Sequence, residues 1–415
     1  MRNSAQSKKS GSILAVVMVL IVVLVVTGGA MLALGSQSRV FAIRDGSGIT
    51  ARCAADAGLT KALCEMNAKL QTGELSDSSL PQVTDEAVPG IHAAFSYQVA
   101  TKSSQGGKEY TITSIGNSAY AEKTISATLR LQGCGEYGVL MRDRIILKAG
   151  TLVGGRDSSD PGNLNPPVEV QIGTVSTASE SIILNNGVTV DGDVLVGFGG
   201  NPDTVIKDLG ATITGHKGNL DEDPYLPPVT PPLLPAMGKI QVKGQDQLIT
   251  PAESGQYTSI DLQQQAGVDA NLVITGGKVV LHITGNINLG QGCEIVVMPG
   301  ASLELYASGN IKSNEDSGFN NLGTPLDLKL WGLAQDPLPA TPQQNWQLNA
   351  KSAYFGQVYA PEATVQVNAK SELWGAFTVY SFEMMNAGKL FYDGALRNVN
   401  LNDEGVRFVL KRWSE

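Results

Sequence analysis

The chain has 415 residues, a net charge of −9 and only 17% charged residues. This length allows two or three domains. Because no basic cluster lies beyond the first nine residues, the composition argues against nucleic acid as a partner. A content of 47 glycines against only 9 phenylalanines, with many Val, Ile and Thr, favours repetitive β structure over a helical bundle.

The first predicted element is an apolar helix. Residues Ser12 to Leu34 include no charged side chain, and such a run is long enough to cross a bilayer core of ~30 Å. Arg2, Lys8 and Lys9 precede it, so the N-terminus is expected in the cytoplasm and the bulk of the chain outside. The alternative is a cleaved secretory signal, whose apolar core is normally ~7–15 residues. The greater length here predicts a single-pass anchor in the inner (cytoplasmic) membrane.

The residues in front of this helix resemble the leader of type IV prepilins. Lys8 and Lys9 are followed by Ser10 and Gly11, and the apolar run begins at once. The resemblance implies that a dedicated prepilin peptidase cuts between Gly11 and Ser12, which are the predicted processing residues. The family usually carries Glu at the fifth mature position, where Val16 stands here. PilX-type and K-type pseudopilin branches can lack this Glu, so Val16 argues against a main shaft subunit rather than against the family.

A second helical segment is predicted from Gly35 to Leu70. Gly46 and Gly48 are expected to interrupt it, since glycine is unfavourable inside helices. Beyond them, small and apolar residues follow helical spacing and predict a packed face: Ala54, Ala55, Leu59, Ala62, Leu63 and Met66. The same stretch, CAADAGL at 53–59, is similar to the AAEAGL signature of PilX-type N-terminal segments.

Residues 72–90 are polar and rich in turn formers, and three alternating patterns follow. They lie at 95–99, 110–113 and 124–131, and alternation of polar and apolar residues predicts half-buried strands. An antiparallel meander packed on the helix is therefore expected. A helix with a small meander is the plan of pilins, which the resemblance also implies.

From Tyr137 the pattern changes to short apolar runs with Gly, Asn or Asp between them. Two repeats carry the architecture: LHITGNI at 281–287 recurs as LYASGNI at 305–311, and NAKSAYFG at 349–356 recurs as NAKSELWG at 368–375. A looser third copy ends at Gly394. Periods near twenty residues with Gly corners predict the coils of a β-solenoid.

The third copy places Tyr392 in one column with Phe355 and Trp374. We interpret this column as an aromatic stack in the core or on a sheet face, in preference to a ligand platform. The block YFGQVYAPEATV at 354–365 resembles the β-helical domain found behind PilX-type anchors, as do residues 303–311 and the Pro-rich segment. That family is pilus-associated and surface-exposed, and no catalytic residues come with it.

Few residues indicate catalysis or metal binding. Cys53 and Cys64 lie ~16 Å apart if both are on one helix, which is too far for a disulfide; either pairs with Cys134, or all four cysteines, Cys293 included, stay reduced. His92, His216 and His282 have no Cys or carboxylate at ligand spacing. No catalytic residue, cofactor or metal site is predicted. The tight acidic groups at 191–193 and 221–223 are expected at turns, with a surface calcium site as the lesser alternative.

The predicted fold class is mainly β: a transmembrane, pilin-like helix with a small β-meander, then a β-solenoid of the right-handed β-helix type. The predicted segments are a leader (1–11), a transmembrane helix (12–34), a pilin-like helix and meander (35–132), a first solenoid part (137–220), a Pro-rich strap or linker (221–238), a second solenoid part (239–400) and a C-terminal tail (401–415). The Pro-rich segment cannot lie inside a sheet, because proline lacks the ladder donor.

The sequence thus predicts a non-enzymatic minor pilin or pseudopilin, an anchored structural or adhesive subunit of a type IV pilus or related assembly. Its expected partners are the membrane, other pilins or pseudopilins, the prepilin peptidase, and a surface glycan or protein. The alternative is a membrane-anchored β-helix that acts on or binds carbohydrate. Hydrolases and lyases need clustered carboxylates, and the acids here are mostly single.

Overall fold

The computed structural model describes residues 12–104, 107–133, 135–158, 168–224, 226, 228–320, 323–333, 342–349, 351–368, 370–397 and 406–414. The predicted leader with Gly11 and the residue Cys134 lie outside this part of the chain. Two compact units are formed: residues 1–131 with 408–415, and residues 132–407. The second unit is therefore inserted in the chain of the first.

The first unit begins with one continuous helix, α1, from Ser12 to Gln71. The predicted interruption at Gly46 and Gly48 is wrong, because the helix runs through both residues. Each glycine costs a helix only ~1 kcal/mol, which the flanking helical turns and the packing after Thr50 offset. The Thr50 hydroxyl also donates to the carbonyl of Gly46 at 2.8 Å.

A five-stranded antiparallel meander packs on the second half of α1. Its first four strands are β1 (Gln82–Ala87), β2 (Ala93–Ser104), β3 (Gly107–Ser118) and β4 (Ala121–Gln132). The three predicted alternating patterns lie in β2, β3 and β4, whereas β1 lies in the stretch predicted to be turn-rich. The last strand of the chain, Arg407–Ser414, pairs beside β4, so the predicted C-terminal tail is in part a sheet strand.

The second unit is a parallel β-solenoid. Its first run comprises β5 (Val139–Leu147), β6 (Leu152–Arg156), β7 (Val170–Thr174), β8 (Ile182–Leu184), β9 (Thr189–Val190), β10 (Gly192–Val196), β11 (Ile206–Asp208), β12 (Thr212–Ile213) and β13 (Lys217–Asn219). A short helix, α2 (Pro202–Val205), precedes β11.

The second run comprises β14 (Ala236–Lys243), β15 (Gln247–Ile249), β16 (Gly255–Gln263), β17 (Leu272–Ile274), β18 (Lys278–Ile283), β19 (Ile287–Leu289), β20 (Glu294–Val297), β21 (Ser302–Ala307), β22 (Ile311–Ser313), β23 (Gly318–Phe319), β24 (Leu328–Gly332), β25 (Gln344–Leu348), β26 (Ala353–Val367), β27 (Glu372–Met384) and β28 (Lys389–Asp393). Short 3₁₀ turns lie at Pro251–Glu253, Pro325–Asp327 and Gly394–Arg397. The final strand of the chain, Arg407–Ser414, is β29.

These strands form three faces around one apolar core. The first face contains β18, β21 and β24, the second contains β19, β22 and β25, and the third contains β17, β20 and β23. The long strands β26 and β27 bend around corners and contribute to all three faces. Inward side chains are mostly Val, Ile and Leu, as expected for parallel sheets covered on the inner side.

The predicted periods appear as strand registers. Leu281 lies opposite Leu305 in the 24-residue repeat, and Gly356 lies opposite Gly375 in the 19-residue repeat. The third copy does not keep the predicted period. A spacing of nineteen residues would place Gly394 opposite Gly375, but Phe391 lies opposite Trp374, so the strand is shifted by two residues. The reason is a corner: three residues separate Ala360 from Thr364, but only Tyr380 separates the matching positions of the next coil.

The two runs make one continuous stack in an order that differs from the chain order. The last coil of the second run, β27 and β28, pairs with the first coil of the first run, β5 and β6. The stack therefore ends at β14 on one side and at β13 on the other, and the 16 residues 220–235 connect these ends. Ten strand spacings cover ~48 Å, and an extended Pro-rich segment of this length covers about the same distance. The segment is thus a strap along the solenoid.

Candidate functional site

The N-terminal helix presents an apolar surface all round. The side chains from Leu14 to Val26 are exposed, and within the described residues this is the one helix long and apolar enough to cross a membrane, with a mean hydropathy of 2.8 in its best window. Ser12, one of the two predicted processing residues, is the first residue of α1. Val16 is exposed on the same helix.

The second half of α1 packs on the meander through small residues. Ala51, Ala54 and Ala55 are fully buried, and a Cβ at Gly116 of β3 would lie 1.9 Å from the carbonyl oxygen of Ala51. A Cβ at Gly58 would come within 2.4 Å of the Ser114 hydroxyl. The small residues of the CAADAGL stretch therefore allow the helix and the sheet to approach closely.

A column of aromatic side chains on the first face is covered by the strap. Tyr306, Trp331 and Tyr359 lie in register on neighbouring strands, and their rings pack 6.3 Å and 5.9 Å apart between centroids. Leu226 and Val229 of the strap pack against them. We call this set the covered column. It forms a second, smaller apolar core outside the solenoid.

A second aromatic column lies on the third face. Phe355, Trp374 and Phe391 are in register and half-buried, with centroid distances of 5.7 Å and 4.6 Å. The guanidinium of Arg156 lies 4.7 Å from the centre of the Trp374 ring and 4.8 Å from that of Phe391. We call this set the open column. The three rings pack on one another, and Arg156 packs on two of them, so the column is an aromatic stack on a sheet face.

Tyr392, predicted to belong to this column, instead points into the core. Its side chain is fully buried, and its hydroxyl donates to the carbonyl of Gly135 at 2.7 Å. Burial raises the pKa of Tyr392, although the neighbouring Arg397 opposes the rise. The corner at Tyr380, two residues shorter than the preceding one, places Phe391 in the column. Tyr392 is the next residue of the strand, and successive side chains of a strand point to opposite faces.

An open groove runs along the corner between the second and third faces. It has a volume of about 990 Å³ and is lined by Lys148, Gln291, Asn314, Glu315, Asn349, Asn368, Met385 and Asn386. At its floor the Asn368 amide donates to Asn349 at 2.7 Å, and the Asn349 amide donates to Asn314 at 3.3 Å. The repeated motif NAKS includes two of these asparagines, Asn349 and Asn368, but nothing in the motif indicates that they line a groove.

Three of the acidic residues singled out in the sequence have structural partners. Asp191 accepts a hydrogen bond from the Thr214 hydroxyl, and Asp193 accepts one from the backbone of His216, both at 2.8 Å and both from the next coil. Glu222 pairs with Arg407 at 2.9 Å. Within the described part of the chain, no three His, Cys, Asp or Glu side chains are grouped closely enough to hold a metal ion.

One buried carboxylate was not singled out from the sequence. Glu362 lies at the corner between Ala360 and Thr364, almost fully buried, with Arg142 Nη1 2.5 Å from its Oε1. Burial raises the pKa of Glu362, and the charge of Arg142 opposes the rise. Arg142 also lies over the Tyr380 ring. The ion pair of Glu362 with Arg142 suits a structural role at this corner.

The described cysteines, Cys53, Cys64 and Cys293, are free thiols. Cys53 and Cys64 lie on α1, which rules out a bond between them in this fold by the helix spacing. Burial raises the pKa of Cys293, which lies in the solenoid core.

Fold and site together define a mainly β protein with one long apolar N-terminal helix and a parallel β-solenoid. A family model described as a domain of unknown function (DUF7305) matches residues 236–399, which is less than half of the chain and lies within the second run of strands. No curated protein matches the chain significantly.

Three solved structures show distant similarity. Two are ice-binding proteins, from the Antarctic ascomycete Antarctomyces psychrotrophicus (13% identity, TM-score 0.25, 62% of this chain and 95% of that one) and from an Arctic yeast (12%, 0.32, 62% and 91%). The third is the competence-associated pilin ComZ from Thermus thermophilus (13%, 0.23, 89% and 97%). Such low identities and TM-scores carry no functional assignment.

Proposed function

We propose that this chain is a non-enzymatic, single-pass structural subunit of the type IV pilin class, a minor pilin or pseudopilin that holds a β-solenoid outside the inner membrane. The observation that carries the proposal is α1. It is a single helix of 60 residues, or ~90 Å, whose first part suits a bilayer and whose last part packs on an antiparallel meander. The prepilin-like leader directly precedes it.

The middle of α1 supports assembly with similar helices. Phe41, Ile43 and Ile49 are exposed, although they lie beyond the apolar run that would cross the membrane. Exposed apolar side chains on a helix are favourable when other apolar surfaces cover them. Other pilins or pseudopilins present helices of this kind, so they are the proposed partners, with the prepilin peptidase as the processing enzyme.

Val16 determines the proposed position in the assembly. A pilin with Glu at this place offers a carboxylate to the N-terminal amine of its neighbour, whereas an unpaired buried charge is costly. A subunit with Val16 is therefore proposed to be a minor component, at a tip or in an initiating complex, where this pairing is not required. The solenoid contributes rigidity through continuous ladders and needs no catalytic residue in this role.

Cross-linking tests the proposed helix contacts. Ile49 is replaced by cysteine in a Cys53→Ser, Cys64→Ser background, so that the exposed native thiols do not react. The expected result is a cross-link to pilin-like subunits in membranes of the native host. The matched control is Glu122→Cys on the exposed side of β4, which should give no such product. Equal products from both positions, or capture of polysaccharide-processing enzymes alone, would contradict the proposal.

A further inference from the structure

The groove along the second corner of the solenoid has features of a ligand site. It extends from Gln291 to Lys148, five strand spacings apart in the stack, or ~24 Å. Its floor is a row of amides in successive coils, from Asn314 through Asn349 to Asn368. A groove whose floor has an amide in each of three successive coils is suited to an extended ligand that lies parallel to the solenoid axis.

The amides of the row have hydrogen-bonding capacity beyond the row itself. A side-chain amide has two N–H donors and an oxygen with two lone pairs. Asn349, in the middle, donates one N–H to Asn314 and accepts one from Asn368. A second donor and a second lone pair therefore remain on this residue, and its half-buried side chain lies at the groove floor. Hydroxyl groups, which both donate and accept, match such a surface.

The charges at the groove are compensated. Lys148 lies 3.2 Å from Glu383, and Lys351 lies 3.0 Å from Glu315 and 3.6 Å from Asp316. A charged ligand would have to displace these pairs, whereas a neutral one would not. Met385 and the carbon atoms of the long polar side chains supply apolar surface between the amides. Sugar rings carry C–H groups between their hydroxyls and match such a mixed lining.

We infer that this groove binds a linear, neutral polysaccharide, with successive sugar units along the asparagine row. The length of the groove, its row of amides and its compensated charges all agree with this ligand class. Because the lining residues include no pair of free carboxylates, the site holds the chain without cleaving it. The inference goes beyond the proposed anchoring role and stands on different residues, so either can fail while the other survives.

The test is a titration of the full chain in detergent micelles with cellohexaose and, separately, with chitohexaose. Binding is measured by titration calorimetry. The test variant is Gln291→Ala combined with Asn386→Ala, two exposed positions at the groove. The matched control is Asn345→Ala, an exposed asparagine on the flat second face in the same coil as Asn349. We expect at least one hexasaccharide to bind, the double variant to weaken binding about tenfold, or ~1.4 kcal/mol, and the control to bind as the parent does.

A second variant, Asn349→Ser, interrupts the row itself and should abolish binding. Its fold is checked by circular dichroism, and if it does not fold the double variant decides alone. Failure of both hexasaccharides to bind the parent would overturn the inference, as would equal affinity for glucose and the hexasaccharides. Tighter binding of hexagalacturonate would overturn its neutral character. None of these results bears on the cross-linking at Ile49, which tests the helix contacts with other subunits.

Discussion

The covered column and the open column are built in the same way and end in different environments. Both place three aromatic side chains in register on neighbouring parallel strands, at centroid distances of 4.6–6.3 Å. The strap lies over one and makes it a core, with Trp331 only 1% exposed. The other packs against Arg156, and its rings remain half-buried. Register therefore creates an aromatic column, but a separate segment decides whether it is buried.

Shortening the strap, which covers one column and not the other, should have the largest effect on the stability of the solenoid. Deletion of residues 230–234 leaves eleven residues, or ~34 Å of extended chain, to connect ends that are ~48 Å apart. One end of the solenoid must then open, at a cost on the order of 5 kcal/mol or more. Hydrogen exchange should show lost protection in β14 or in β13.

The control is replacement of the same five residues by glycine and serine at equal length. The replaced segment still spans the distance between the two ends. The free energy of unfolding should fall by no more than ~1–2 kcal/mol, because glycine and serine give the unfolded chain more conformational freedom. Wild-type protection in the shortened protein would show that the strap does not connect the two ends.

Alanine substitutions at the two tryptophans compare the columns directly. Trp331→Ala should lower the free energy of unfolding by ~3–5 kcal/mol, the usual cost of removing a buried ring. Trp374→Ala removes a half-buried ring and should cost only ~1–2 kcal/mol, mainly from lost aromatic contacts. Chemical denaturation of the full chain in detergent, followed by circular dichroism, measures both. Equal losses would mean that the open column is buried as well.

Glu362→Gln should give the smallest effect, visible in its pH dependence. Burial raises the pKa of Glu362 above its ordinary value of 4.5, so the folded state holds this proton more tightly than the unfolded chain. The stability that the protonated acid contributes is present at low pH and is lost as the pH rises through the raised pKa. The variant, which mimics the protonated acid, should therefore gain stability relative to the parent as the pH rises above 4.5. A constant difference between the two would contradict the raised pKa.

The sequence was informative wherever structure is local or repeats at short range. The alternation in β2 to β4, the small-residue face after Thr50 and the registers of Leu281 and Gly356 all follow from short patterns. The register of the third repeat was predicted wrongly because the corner at Tyr380 is two residues shorter than the corner of the preceding coil. The following strand is shifted by this difference, although its apolar pattern is unchanged. The groove was not foreseen, since it depends on turns that bring asparagines of separate coils into one line.

The pairings between distant segments could not be predicted either. The β27 strand pairs with β5, although more than two hundred residues separate them in the chain, and no repeat spans both. The β29 strand joins the meander although its sequence, RFVLKRWS, gives no preference for one sheet edge over another. In both cases the partner is selected by an exposed edge, which is a property of the folded structure.

The central claim is that this chain is processed and anchored as a pilin-like subunit, and the mature N-terminus tests it most directly. The protein is isolated from the membranes of its native host and sequenced from its N-terminus, with intact mass as a second readout. The account predicts a mature chain that starts at Ser12 and retains the apolar helix. A start at Met1, or one near Ser36 after a signal-peptidase cut, would contradict it.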